Sequence, residues 1–182
     1  TWMNVEHALA RHAATGAWYW EFRALLSLDR LTRILDPVWG GVYQYSTDGD
    51  WEHPHYEKLM TYQAGTLESY VLASLASGKA AYLDTARKLH GYIAELLRAE
   101  DGAFLVSQDA DLSHPAAGGP AVEGKAYYAL PDAERRKLGL PRIDSNVYGR
   151  ENGLAISAIA LLHTATQEPA HLAQAVRAAG RV

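Results

Sequence analysis

Apolar residues recur along this chain at three- and four-residue intervals, the spacing that places them on one face of an α-helix. Residues 17–35 carry Trp18, Phe22, Leu25, Leu26, Leu28, Leu31 and Leu35 in this way. Residues 56–77 do so with Tyr56, Leu59, Met60, Leu67, Tyr70, Val71 and Leu75, and Gly78 breaks the run. A third run, 80–99, repeats the pattern from Tyr82 to Leu97. After a Gly- and Pro-rich interval, a short helix is expected near 132–138, a strongly apolar one over about 151–166, and a last one from Pro169, which is suited to a first helical position.

An internal echo organises these segments. GVYQYSTDGD (41–50) aligns without gaps on GAFLVSQDAD (102–111), matching Gly41 to Gly102, Tyr43 to Phe104, Ser46 to Ser107, Asp48 to Asp109 and Asp50 to Asp111. Two helices fit between the copies. The repeating unit is therefore a polar, Gly-led loop followed by a helical pair, which predicts stacked helical hairpins. The expected fold is all-α, a partial (α/α)6-type toroid with short β-hairpins or loops at one rim. Two units do not close a ring, so residues 1–182 are expected to be a fragment of one toroid domain.

Composition narrows the function. With 48% hydrophobic and 21% charged residues the chain has a globular core, and a net charge of -4 leaves no basic footprint for nucleic acid. No apolar run reaches the roughly 18 residues that cross a bilayer, and no signal-peptide pattern is present. A cytoplasmic location is the expectation. With no cysteine, the chain has neither disulfides nor thiolate chemistry. Phosphate-loop and nucleophile-elbow motifs are also missing, and no cofactor is expected.

Candidate chemistry gathers in WEHPHYEKLM (51–60). Pro54 holds His53 extended. His55 is a candidate general acid or base, tuned by Glu57, with Lys58 available for an anionic group. The plainer reading makes Glu57 a partner of the helix dipole and the histidines loop residues. His53 and His55 also raise zinc, but no third ligand is evident, so no metal is assigned. Asp48 and Asp109 read first as turn and cap residues; the further ligands of a calcium loop are missing. In PRIDSNVYGRENGLAI (141–156), Arg150, Glu151 and Asn152 open the apolar helix. Five Trp and eleven Tyr, among them Trp51 and Tyr127, supply ring faces of the kind a sugar cleft uses.

The run Trp51, Pro54, His55, Tyr56, Glu57, Lys58, followed by Gln63-Ala64, resembles the signature of the spermatogenesis-associated thioredoxin-domain proteins and their bacterial relatives. GGVYQYSTD (40–48), SQDAD (107–111), EGKAYY (123–128) and NGLAI (152–156) follow in the same order. The resemblance implies a C-terminal α/α toroid related to N-acylglucosamine 2-epimerases, with a thioredoxin-like domain as its partner in the same protein. Departures fall at Glu52, at Thr61-Tyr62 and at Glu151. The resulting expectation is an epimerase- or isomerase-like domain acting on a sugar or polyol. His55 and Glu57 would be catalytic, and Trp51, Lys58, Asp48, Asp109, Tyr127, Arg150, Glu151 and Asn152 would hold substrate. The alternatives are a non-catalytic scaffold beside the thioredoxin-like domain, or a glycoside hydrolase, which needs two carboxylates about 5–9.5 Å apart.

Overall fold

A computed structural model describes residues 1–182. Its helices pair into three hairpins: α1 (Trp2–Thr15) with α2 (Trp18–Leu31), α3 (Met60–Ser77) with α4 (Ala80–Leu96), and α7 (Gly149–Thr166) with α8 (Pro169–Ala179). Two short helices, α5 (Gly124–Tyr128) and α6 (Asp132–Leu138), lie in the connection between the second and third hairpins. Helix α3 packs between α1 and α7, which makes these three the inner row; α2, α4 and α8 are their outer partners.

All three hairpins turn through the same two-residue link. Gly16, Gly78 and Gln167 each take a left-handed backbone, with φ of 68°, 71° and 58°, and each donates its N–H to the carbonyl four residues back. The next residue, Ala17, Lys79 or Glu168, is extended and opens the following helix. Glycine adopts this geometry without a Cβ clash. Gln167 adopts it with one, so the third link carries backbone strain that the first two avoid.

The core runs between the rows. Leu67, Val71 and Tyr70 of α3 are enclosed with Leu89 and Ile93 of α4 and with Ala155, Ala158, Ile159 and Leu162 of α7. Alanines on α7 and α8 allow close approach. At Gly65 the Trp2 indole lies where a Cβ would stand, 2.3 Å from its nearest atom, so α1 seats on α3 only because that position is bare.

Strands of two residues each close one rim, at the start of α3 and α7. β1 (Tyr45–Ser46) pairs antiparallel with β2 (Pro54–His55). β3 (Lys58–Leu59), β4 (Ser107–Gln108) and β5 (Ile143–Asp144) form an antiparallel sheet with β4 in the middle.

Several boundaries differ from the sequence expectation. The helix expected over 17–35 ends at Leu31, followed by a 3-10 turn over Thr32–Ile34, because Pro37 and the pairing of Leu35 with Val42 favour extended backbone there. The helix expected from 56 starts at Met60, since Lys58 and Leu59 pair with Gln108 and Ser107. Helices α1 and α5 were not anticipated. Of the apolar positions in 17–35, Leu28 is buried, whereas Trp18 (71% exposed), Phe22 and Leu26 face outward from α2. Leu172 and Val176 do the same from α8, at the other end of the arc.

Candidate functional site

The echo in the sequence is an echo in space. Val42 and Phe104 each close a loop by pairing back on the segment after an outer helix, Val42 with Leu35 and Phe104 with Arg98. An amide from the first turn of an inner helix then grips each backbone in both directions. The N–H of Val42 donates to Gln63 Oε1 at 2.7 Å, and Gln63 Nε2 donates to the Val42 carbonyl at 2.7 Å. Asn152 does the same to Phe104, at 2.7 and 2.9 Å. The structural correspondence is one residue out of the gapless alignment: Val42 answers to Phe104, and the first strand residue Tyr45 to Ser107.

Behind these loops lies a sealed ionic centre. Lys58 Nζ donates to Asp36 Oδ2 at 2.7 Å, and Arg135 Nη1 donates to the same oxygen at 2.7 Å; all three side chains are 0% exposed. The two cations are enclosed by rings. Lys58 Nζ stands 4.4 Å from the centre of Tyr92 and 4.8 Å from Tyr128, and the Arg135 guanidinium 4.8 Å from Trp39. Arg135 also donates to the Tyr128 and Leu130 carbonyls. Burial opposes ionisation of Asp36, but the Lys58 charge and the Arg135 hydrogen bond prevail and hold it below the usual carboxylate range. Burial pulls the Lys58 ammonium down to about 8.

His55 and Glu57 occupy the opposite kind of surroundings. Their side chains are 39% and 31% exposed, with His55 Nε2 3.5 Å from Glu57 Oε2. Tyr45 stacks on the imidazole at 5.2 Å and 25°, and Tyr56 between them stacks on Tyr128 at 5.5 Å. The pair therefore has one ring, Tyr45, against the imidazole and an open side. A carboxylate next to an imidazole can hold its orientation and stabilise the imidazolium when it takes a proton.

The other residues expected at the site are dispersed. Lys58 is sealed in the ionic centre. Tyr127 is enclosed, its hydroxyl donating to the Gly139 carbonyl at 2.8 Å. Asn152 is spent on Phe104. These three offer no surface to a ligand, because the rim loops consume their polar groups. Asp109 pairs with exposed Arg142 at 3.0 Å, and Arg150 with its neighbour Glu151 at 3.4 Å. Asp48 joins Asp50 around His53, with Nδ1 of His53 2.5 Å from Asp50 and 3.4 Å from Asp48, all exposed. Asp50 also accepts from Ser46 Oγ and the Glu52 N–H, so it works as the turn residue. Trp51 lines a pocket of about 280 Å³ between α1, α2, α3 and strand β1; neither His55 nor Glu57 lines it, and Tyr45, which stacks on His55, is the residue it shares with the pair. A larger, polar cleft of about 660 Å³ on the outer flank is lined by Trp39, Glu95, Asp132 and Arg136, whose charges pair with one another.

Sequence reasoning missed Asp36, Arg135 and the gripping role of Gln63. One signal was available: Gln63 and Asn152 are each the fourth residue of an inner helix and each precedes a small residue.

Three hairpins with inner and outer rows and a decorated rim define an α/α toroid architecture. The chain aligns over its whole length with a glycoside hydrolase family 76 mannosidase from Bacteroides thetaiotaomicron (TM-score 0.74, 18% identity), covering 42% of that chain. It aligns over 95% of its length with an inactive α-1,6-mannanase variant from a Salegentibacter species in complex with α-1,6-mannotriose (TM-score 0.69, 17% identity, 43% of that chain). Over 96% it aligns with cellobiose 2-epimerase from Bacillus thermoamylovorans (TM-score 0.68, 12% identity, 41% of that chain). At such identities the likeness is one of fold.

In sequence the chain is 38% identical to human spermatogenesis-associated protein 20 over 105 residues, which is 58% of this chain and 13% of that protein. The mouse protein matches at 37% over 105 residues, again 13% of its length. The resemblance carried by the Pro-His-Tyr-Glu-Lys run is thus met across more than half of the chain. No protein-family model matches it. No helix is long and apolar enough to cross a membrane.

Proposed function

We propose that this chain works as part of a carbohydrate-active α/α toroid of the epimerase or isomerase kind, with His55 as proton carrier and Glu57 as its orienting carboxylate. One observation carries the reading: an imidazole and a carboxylate 3.5 Å apart, half-exposed on the rim, with the Tyr45 ring stacked on the imidazole and also lining a pocket. The mannosidase, mannanase and epimerase named among the structural neighbours supply its context. An epimerase withdraws the proton on a carbon next to a carbonyl and returns one to the opposite face. His55 would serve one face. The group for the other face would come from further hairpins covering the outward apolar faces of α2 and α8, the remainder of the toroid.

The test is deuterium incorporation from heavy water into a panel of aldoses by the full-length protein, with His55→Ala beside it. A loss of roughly 10²–10⁴-fold is expected for the variant. Incorporation at the wild-type rate would overturn the role of His55. The second reading, a non-catalytic domain beside a thioredoxin-like one, draws on Lys58, Tyr127 and Asn152, all spent inside the rim. It gains if the intact protein binds no sugar.

A further inference from the structure

The 280 Å³ pocket that shares the Tyr45 ring with His55 has so far been given no occupant. We infer that it is a binding site for a single uncharged sugar ring, holding a neutral saccharide, rather than an acidic or phosphorylated one, across the Tyr45 ring from His55. The inference rests on the carbohydrate reading and gives it a substrate class.

The walls come first. Trp2, Tyr43, Tyr45, Trp51 and Tyr62 contribute rings, and no lining residue carries a charged side chain. Ring faces take the C–H face of a pyranose by dispersion and burial. The volume falls just under the roughly 300–1,000 Å³ of small-molecule sites, which suits one ring and not a chain of them.

The polar groups decide between a sugar and a wholly apolar guest. Thr66 is 2% exposed and lines the pocket; its hydroxyl makes no side-chain hydrogen bond and is not among the fully enclosed unpaired atoms, so it keeps access to the pocket. The molecule supplies its own control: Thr15, Thr85, Thr164 and Thr166, also in helices, each return the hydroxyl to the carbonyl four residues back, at 2.7 to 3.2 Å. Thr66 does not. Tyr62 and Gln44, also on the lining, add a hydroxyl and an amide that make no side-chain hydrogen bond in the protein. An apolar guest would leave the Thr66 hydroxyl buried and unpaired, which is costly, whereas a sugar hydroxyl satisfies it.

Charge selects the kind of sugar. A carboxylate or phosphate in this pocket would sit among rings with no lysine or arginine on the wall. An unpaired buried anion is strongly disfavoured. Tyr45 joins the two places: it lines the pocket and stacks on His55.

Saturation-transfer NMR and tryptophan fluorescence on the full-length protein test this, with methyl α-mannoside, methyl β-glucoside, glucuronate, glucose 6-phosphate and indole as probes. At least one neutral glycoside is expected to bind, at least tenfold more tightly than either anion. Thr66→Val, which removes a hydroxyl without a protein partner, is expected to keep the fold and weaken that glycoside about tenfold. His55→Ala is expected to keep the binding. Anions binding as well as glycosides, indole binding in preference to them, no glycoside binding, or unchanged affinity in Thr66→Val would each overturn the site. A free aldose that exchanges its proton at the wild-type rate in Thr66→Val would remove the pocket and leave the carbohydrate reading standing. Thr66-dependent glycoside binding with aldose proton exchange unchanged in His55→Ala would do the reverse.

Discussion

His55 and Lys58 are three residues apart in one short motif and end in opposite surroundings. His55 lies in β2, whose partner is β1, a two-strand ribbon facing solvent. Lys58 lies in β3, paired to β4 over the start of α3, with its ammonium sealed between Asp36 and four aromatic rings. Side chains alternate along an extended segment, so neighbouring positions of one motif serve opposite faces. A single short signature therefore encodes two things, an anchor that holds the rim and a pair that the rim presents.

The anchor gives the largest expected effect. Replacing Asp36 by Ala leaves two buried cations without a counter-charge and is expected to cost about 3–5 kcal/mol. Lys58→Met keeps the Asp36–Arg135 pair and places an apolar chain among the rings, so it is expected to cost markedly less. Urea unfolding of both variants measures the difference. Equal losses would break the view of Asp36 as the hub on which both cations depend.

Next come the two grips. Asn152→Leu leaves the Phe104 N–H and carbonyl without their partner, and Gln63→Leu does the same to Val42. About 1–3 kcal/mol is expected for each orphaned buried amide. Similar losses from the two variants would show that the loops are equivalent units. A silent Gln63→Leu beside a costly Asn152→Leu would make the echo a likeness of sequence without shared mechanics.

A smaller effect is set by pH, away from the rim. His90 of α4 and His171 of α8 meet edge to face at 4.6 Å, His90 touching Gln174 and His171 touching Thr166 and, more distantly, Glu168. Burial lowers both imidazoles, and His90 lowers His171 further. The unfolded chain then takes up protons, near its ordinary value of 6.5, that the folded chain refuses. Stability is full above that value and falls as pH drops through it. Glu6 opposes this, because burial and the Glu68 charge raise it to about 7. Its folded form takes a proton first, so it favours the folded state as pH falls from about 7 toward 4.5. Between pH 7 and 5, His90→Gln is expected to flatten the acid loss and Glu6→Gln to steepen it, as read from unfolding midpoints. The opposite ordering would reassign the groups.

The hairpins were legible because their signal is local. Six helices follow from three- and four-residue spacing, and the rim loops follow from a repeated Gly-led pattern. α1 escaped because Val5, Ala8 and Leu9 alone are buried in it, among His and Arg residues that blur the stripe. α5 is a five-residue helix, too short for a period to register. The ionic centre is a different kind of object. Asp36 and Arg135 are 99 positions apart, and each alone reads as a turn residue and a helix-surface cation. Lys58 was placed at the site through its neighbours in the motif, whereas the sheet pairing that turns it inward depends on Gln108, far along the chain. The His55–Glu57 pair was visible for the opposite reason: both partners lie within one short segment, and no distant residue is needed to bring them together.

The comparison predicts its own smallest effect at that pair. His55 and Glu57 are part-exposed, touch each other at 3.5 Å, and make no side-chain hydrogen bond to the backbone. Removing either leaves no buried group orphaned and opens no cavity in the core. His55→Ala and Glu57→Gln are therefore expected to shift stability by less than about 0.5 kcal/mol, the range of surface substitutions. If the pair were one more fastener of the rim, its loss would be measurable in unfolding, as the loss of Asp36 or Asn152 is expected to be. A stability change of about 1 kcal/mol or more in either variant would move the pair into the anchor and remove the contrast within the motif. A silent unfolding curve together with a lost proton exchange would separate the two halves of the motif by what each does.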